Sequence, residues 1–239
     1  MCGICGCDRL EAPPHLAAHA GSETRRLEVE RSLLADNDWH AEHLKEHLAA
    51  RGIEAIGLLG GPGAGKTALL EATFARLGEA VRCEAVVEGD CASDLDAQRI
   101  AAAGARAAQV ATGSLCHLDA HLVEHALETL TLDGVTRLWI ENVGNLVCPA
   151  PFRCGESRRA LLISTPEGDD KPAKYPAAVA AVDLLLITKV DLLPHVRFDV
   201  ERCVAAAHRV KPGLPSLCIS AQRGDGMEEW MEWLRTGSR

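Results

Sequence analysis

The sequence predicts an α/β fold, a mostly parallel sheet flanked by helices, preceded by a flexible tail that contains cysteines. Three observations predict it. Short apolar runs alternate with helical patterns from residue 53 onward, a glycine-rich loop joins the first run to a helix, and Cys2, Cys5 and Cys7 crowd the amino terminus. Residues 1–23 mix Cys, Gly, Pro13, Pro14, His15 and His19, too little apolar surface to build a core, and are expected as a flexible metal-binding tail. Residues 24–239 are expected as one domain with an N-terminal helix.

Leu27, Leu33, Leu34, Leu44 and Leu48 among many charges give a helix over 24–50, stopped by Gly52. Strands are expected at 53–59, 81–87, 107–112, 135–140, 160–164, 183–188 and 215–219. Helices are expected at 66–77, 94–103, 117–130, 200–210 and 227–234, with loops at 149–155 and 167–176. Hydrophobic residues make up 47% of the 239 but aromatics only 3%, so Leu, Val, Ile and Ala must fill the core. A net charge of −9 opposes sequence-independent nucleic-acid binding, which needs a basic surface. No apolar stretch reaches the ~18 residues that would cross a bilayer. The amino terminus lacks the basic and apolar regions of a secretory signal. A cytoplasmic, reducing location follows as the expectation, with the ten cysteines as thiols or ligands.

Gly60, Gly65, Lys66 and Thr67 match G-x-x-x-x-G-K-[ST], with a strand before and a helix after. Glycines let backbone N–H groups face phosphates, Lys66 brings charge to the β- and γ-phosphates, and Thr67 offers a hydroxyl to Mg²⁺. The expected nucleotide contacts are Gly61, Gly63, Ala64, Gly65, Lys66, Thr67 and Ala68, which makes the domain a P-loop NTPase fold. Thr188-Lys189-Val190-Asp191 resembles the N/T-K-x-D element, whose carboxylate accepts two hydrogen bonds from guanine. Ser220-Ala221 stands where a supporting element would lie. Lys189, Asp191, Ser220 and Ala221 are therefore expected to read GTP or GDP. Lys66, Asp96 and Glu141 are expected to serve hydrolysis, Glu141 from the end of a strand and Asp96 (with Asp90) after another.

Cys2, Cys5 and Cys7 form C-x-x-C-x-C, thiolates that can wrap Ni²⁺, Zn²⁺ or Cu⁺, or else reactive thiols. Cys116, His117 and Cys148 leave the sheet on the nucleotide side if the strands are parallel. Spacing alone leaves two readings, a metal site or buried cysteines beside a capping His. His40, His43 and His47, like His121 and His125, read as solvated helix faces.

At this point the chain resembles the HypB family, GTPases that assist nickel insertion into [NiFe]-hydrogenase. The likeness runs through Cys2-x-x-Cys5-Gly6-Cys7, Gly89-Asp90, Asp96-Ala97-x-Arg99-Ile100, Cys116-His117-Leu118-Asp119-Ala120-His121, the run from Glu141 to Pro149, and Asp170-Lys171-Pro172 with Lys174-Tyr175-Pro176. The resemblance implies a tight nickel site at Cys2, Cys5 and Cys7, and a nickel or zinc site at Cys116, His117 and Cys148 near a subunit interface. It also implies a GTP-promoted homodimer, a HypA-type nickel carrier and a hydrogenase large subunit as partners, and Asp96 and Glu141 at magnesium and hydrolysis positions. Thr188 replaces the usual Asn. Other readings are a UreG-like urease accessory GTPase, whose Cys-Pro-His motif this chain lacks, a nucleotide-binding metal buffer or sensor, and a small-molecule kinase.

Overall fold

The computed structural model describes residues 14–90, 95–113 and 116–236. Cys2, Cys5 and Cys7 therefore lie outside the described residues. The chain divides into two compact units, Met1–Asp36 and Asn37–Arg239. Among the described residues the first unit is helical, and its helix α1 (Pro14–Ala50) ends in the second. Residues 14–23, expected in the tail, are thus helical. Proline is pre-organised for a first helical turn, and Leu16, Ala17, Ala18 and Ala20 favour helix strongly. Gly52, at φ 71°, ends α1, with Gly52 N donating to Ala49 O and Ile53 N to Leu48 O, both at 2.9 Å.

The second unit is built on β1 (Glu54–Gly60), β2 (Glu84–Asp90), β3 (Arg106–Ala111), β4 (Arg137–Glu141), β5 (Arg158–Ser164), β6 (Leu184–Thr188) and β7 (Ser216–Ile219). The strand order is β3-β2-β4-β1-β5-β6-β7 and every pairing is parallel. Around it lie α2 (Lys66–Leu77), α3 (Leu95–Ala102), α4 (Ala120–Leu127), α5 (Lys171–Lys174), α6 (Pro176–Ala180), α7 (Val200–Val210) and α8 (Met227–Thr236). Successive strand residues face opposite sides, so each strand feeds two cores. Ile56, Leu58, Val86, Trp139 and Leu186 pack with Leu70 and Phe74 of α2 and Trp230 of α8. On the other face Ala85, Val87 and Ile140 meet Leu44 and Leu48 of α1 and Val123 of α4. Leu161, Ile163 and Leu185 meet Val179 of α6 and Cys203 of α7. Each fully buried Leu adds about 1.5–3 kcal/mol, so these faces hold the sheet rigid beneath its loops.

Three elements depart from the expected pattern. Residues 78–83 form a 3₁₀ turn (Gly78–Cys83), and β2 starts only at Glu84. Hydropathy set this strand three residues early because two of its buried residues are acids, Glu84 and Glu88. Glu84 survives burial by accepting from Trp139 Nε1 at 2.6 Å and from Arg137, although desolvation still raises its pKa. The helix expected at 117–130 is the shorter α4, because Asp119 caps it by accepting from Leu122 N at 2.8 Å. The expected 167–176 loop contains α5, with Pro172 in its first turn.

Candidate nucleotide and metal site

Parallel strands deliver their carboxyl ends to one edge, where residues 60–67, 89–90, 141–148, 188–191 and 220–222 emerge. In the phosphate loop Gly63 and Gly65 sit at φ 73° and 94°, a region hostile to side chains. A Cβ on Gly61 would stand 2.4 Å from Glu167 Oε1. The loop opens into α2, whose first N–H groups have no helical partner and face an anion's position.

Beside it lies a cleft of about 420 Å³ lined by Lys66, Thr67, Glu88, Asp96, Arg99 and Glu141. Thr67 Oγ1 donates to Glu141 Oε1 at 2.8 Å. Burial pushes the Glu141 carboxyl up to about 7, against the pull of Lys66 and the Thr67 hydrogen bond. Glu141 Oε2 is buried with no hydrogen-bond partner among the described residues. A hydroxyl and an orphaned carboxylate oxygen side by side suit a hard cation that takes oxygen ligands, so these residues fit Mg²⁺. Asp96 is steadied by Arg99, which donates Nη1 to Asp96 Oδ1 at 2.7 Å and grips both oxygens of Glu71 at 3.0 and 2.6 Å. Arg99 ties α3 to α2 and so fixes Asp96 at the cleft.

A second cavity of about 290 Å³ is lined by Ala68, Leu69, Thr188, Lys189, Asp191 and Ala221. Ser220 Oγ donates to Asp191 Oδ1 at 2.6 Å and holds the carboxylate in one orientation. Thr188 Oγ1 donates to Ala64 O at 2.6 Å, so the residue standing in place of Asn clips this edge to the phosphate loop. Lys189 adopts a left-handed φ of 58°, with its carbonyl accepting from Thr165 Oγ1 at 2.8 Å. Strain of order 1 kcal/mol places its side chain between the two cavities.

The residues after Glu141 lead toward the thiols. Asn142 Oδ1 accepts from Leu118 N and Val143 N, both at 2.9 Å. Asn145 pairs with Gly60 in an antiparallel bridge, and its Nδ2 donates to Cys116 O at 3.5 Å. A Cβ on Gly144 would lie 3.0 Å from Pro62 Cα. The segment that ends at Cys148 is therefore laced to the phosphate loop and to the Cys116-His117 segment.

The family model for the CobW/HypB/UreG nucleotide-binding domain matches residues 54–217. The Escherichia coli hydrogenase maturation factor HypB is 48% identical over 215 residues, 90% of this chain and 74% of that protein. The chain belongs to the HypB family. The crystal structure of HypB from Archaeoglobus fulgidus superposes with a TM-score of 0.77 at 38% identity, covering 84% of this chain and 98% of that one. HypB from Helicobacter pylori in complex with nickel gives 0.80 at 34%, covering 85% and 95%.

For a HypB-family chain the inner thiols are arranged loosely. Cys116 Sγ lies 3.7 Å from His117 Nδ1, Cys148 is half-buried, and the His117 ring stacks on Phe152 with centroids 4.0 Å apart. Burial lowers the His117 pKa, favouring the neutral imidazole. Among the described residues no three His, Cys, Asp or Glu side chains converge to hold a metal. Cys116, His117 and Cys148 are thus not gathered into a finished site among the described residues, and the His117 ring is stacked on Phe152. The structure brings Gly63, Gly65, Lys66, Thr67, Asp96 and Glu141 together at one cleft, and Ala68, Lys189, Asp191 and Ala221 at the other cavity, whereas Gly61 and Ala64 line neither and Ser220 stands behind Asp191. The sequence reading assigned no task to Asn142 or Arg99. Asn directly after a strand-end carboxylate is the signal that marks the first, and nothing local marks the second.

Proposed function

We propose that this chain hydrolyses GTP and couples its nucleotide state to the grip on nickel bound for hydrogenase. The observation that supports this reading is the pair of hydrogen bonds that links Thr67 to Glu141 and the adjoining Asn142 to Leu118, next to His117. The terminal phosphate would lie against Lys66 and the amino end of α2, where charge developing in the transition state is stabilised. Magnesium, when bound, neutralises phosphate charge, with Thr67 and Glu141 holding it or its water. Asp96, held by Arg99, orients the attacking water. Asp191 accepts from the guanine edge. Loss of the phosphate shifts the 141–148 segment, and with it Cys148 and the backbone of Cys116.

Nickel is the cargo. Cys2, Cys5 and Cys7 bind it at the amino terminus, and Cys116, His117 and Cys148 form the inner site, for nickel or zinc. The open arrangement of the inner trio in a single chain suits completion by a second copy, so GTP promotes a homodimer there. A HypA-type carrier and the hydrogenase large subunit are the partners, and the cytoplasm is the location. No helix among the described residues is long and apolar enough to cross a membrane.

The test is nickel titration of the chain loaded with a non-hydrolysable GTP analogue, with GDP, or with neither, repeated for Asn142→Ala. Affinity at the inner trio should differ between the first two states by at least about tenfold, and the difference should shrink in the variant. Equal affinity in all three states overturns the coupling.

A further inference from the structure

Just past the Cys116-His117 segment, α4 and the carboxyl-terminal half of α1 share one core cluster, and imidazoles and carboxylates lie beside it. Asn37 fixes this pairing, since its Oδ1 accepts from Ala120 N at 2.9 Å and its Nδ2 donates to Arg153 O at 2.9 Å. Asn37 itself is buried, so the first turn of α4 cannot slide along α1. Just beyond it His40 Nδ1 lies 3.7 Å from Glu124 Oε2. The His40 and His121 ring centroids are 5.8 Å apart with their planes at 85°. His121 and Glu124 are three residues apart on α4 and so share a face.

A solvent-exposed ion pair accounts for His40 and Glu124, but it needs no second imidazole edge-on to the first. Two imidazoles on one ion, with metal–nitrogen bonds of about 2.1 Å, place their ring centres roughly 4.5–6 Å apart, and a carboxylate oxygen on that ion lies roughly 3.4 Å from each nitrogen. The observed spacings sit at the open end of that geometry. No three donors already converge among the described residues. Both imidazoles and the carboxylate belong to half-buried or exposed side chains, so their rotamers are free to change and close the set while Asn37 keeps the backbones in place.

The geometry points to a binding site for a borderline divalent transition-metal ion at His40, His121 and Glu124, separate from both thiol sets. Two imidazoles and one carboxylate suit Ni²⁺, Zn²⁺ or Cu²⁺, whereas Mg²⁺ and Ca²⁺ prefer oxygen-only shells. Without sulfur the site holds its ion less tightly than a thiolate set and releases it faster. Asp119 caps α4 immediately after Leu118, so an ion at His121 stands one helix start from Cys116 and His117. Its use as a staging point for the inner trio rests on the nickel-handling reading above. The binding itself does not.

The experiment is a Ni²⁺ titration of the full chain carrying Cys2→Ser, Cys5→Ser, Cys7→Ser, Cys116→Ser and Cys148→Ser, followed by calorimetry and absorption. One equivalent should bind without thiolate charge-transfer bands, and His40→Ala, His121→Ala and Glu124→Gln should each weaken it by at least about tenfold. His125→Ala should leave it intact, because that imidazole faces Glu128 at 3.0 Å. The same His40→Ala and His121→Ala changes in the cysteine-intact chain should remove one nickel equivalent while preserving the thiolate bands and GTP hydrolysis. Undiminished nickel binding in both His variants of the cysteine-intact chain overturns the site. Loss of thiolate bands or of hydrolysis in chains with intact histidines would instead count against the nickel-handling GTPase.

Discussion

Replacing Glu141 by Gln isolates the cost of ionising a buried carboxyl. Glu141 is only 3% exposed, and its pKa rises from 4.5 to about 7 on folding. A carboxyl with a raised folded pKa binds more protons in the folded than in the unfolded chain between those two values. Stability therefore falls as pH rises through that window. The displacement corresponds to about 3 kcal/mol in the magnesium- and nucleotide-free protein, absent below pH 4.5 and complete above about 7. The Gln variant keeps an acceptor for Thr67 but cannot ionise. The difference in stability between variant and parent should accordingly grow by about 2.5 kcal/mol from pH 5 to pH 8, or roughly 5–10 °C in Tm for a chain of this size. Urea unfolding of both proteins at pH 5, 6, 7 and 8, in chelator and without nucleotide, measures it. A difference that stays constant across the series would refute the assignment of a raised pKa to Glu141.

Asp191→Asn should weaken GTP binding by at least about tenfold through lost charge-assisted bonds while sparing xanthosine triphosphate, as competition binding with both nucleotides would report. Gly63→Ala places a side chain at φ 73° and should cost about 1 kcal/mol of stability or more, read from its urea midpoint, together with nucleotide affinity. Asn142→Ala leaves the Leu118 and Val143 amides without their 2.9 Å acceptor. It should lower stability by about 1–3 kcal/mol on chemical denaturation, without changing GDP affinity. Cys2→Ala with Cys5→Ala should abolish tight nickel binding yet preserve the GTP hydrolysis rate, which a paired metal titration and phosphate-release assay would establish.

Much of the nucleotide edge was legible because its chemistry demands fixed residue types at fixed spacing. Gly65-Lys66-Thr67 falls between a strand and a helix and the Thr188–Asp191 run at a strand end, as the alternation implied. The reading named Ser220, Asp191, Thr67 and Glu141 but not the Ser220–Asp191 and Thr67–Glu141 hydrogen bonds that join them. What stayed hidden depends on tertiary contacts. β2 was displaced in the reading because its buried Glu84 is satisfied by Trp139 and Arg137, residues far along the chain. The start of α1 was missed because residues 1–23 were judged by their lack of core-forming apolar surface, although proline at an amino end favours helix. Spacing placed Cys116, His117 and Cys148 on the correct edge. It could not foresee that Phe152 would take up the His117 ring.

The bond from Thr188 to Ala64 rivets the guanine-reading edge to the phosphate cradle, while the carboxylate that meets the reacting end belongs to a different strand. A shift of either loop is therefore passed to the other through one hydrogen bond, while Glu141 can respond separately from its own strand.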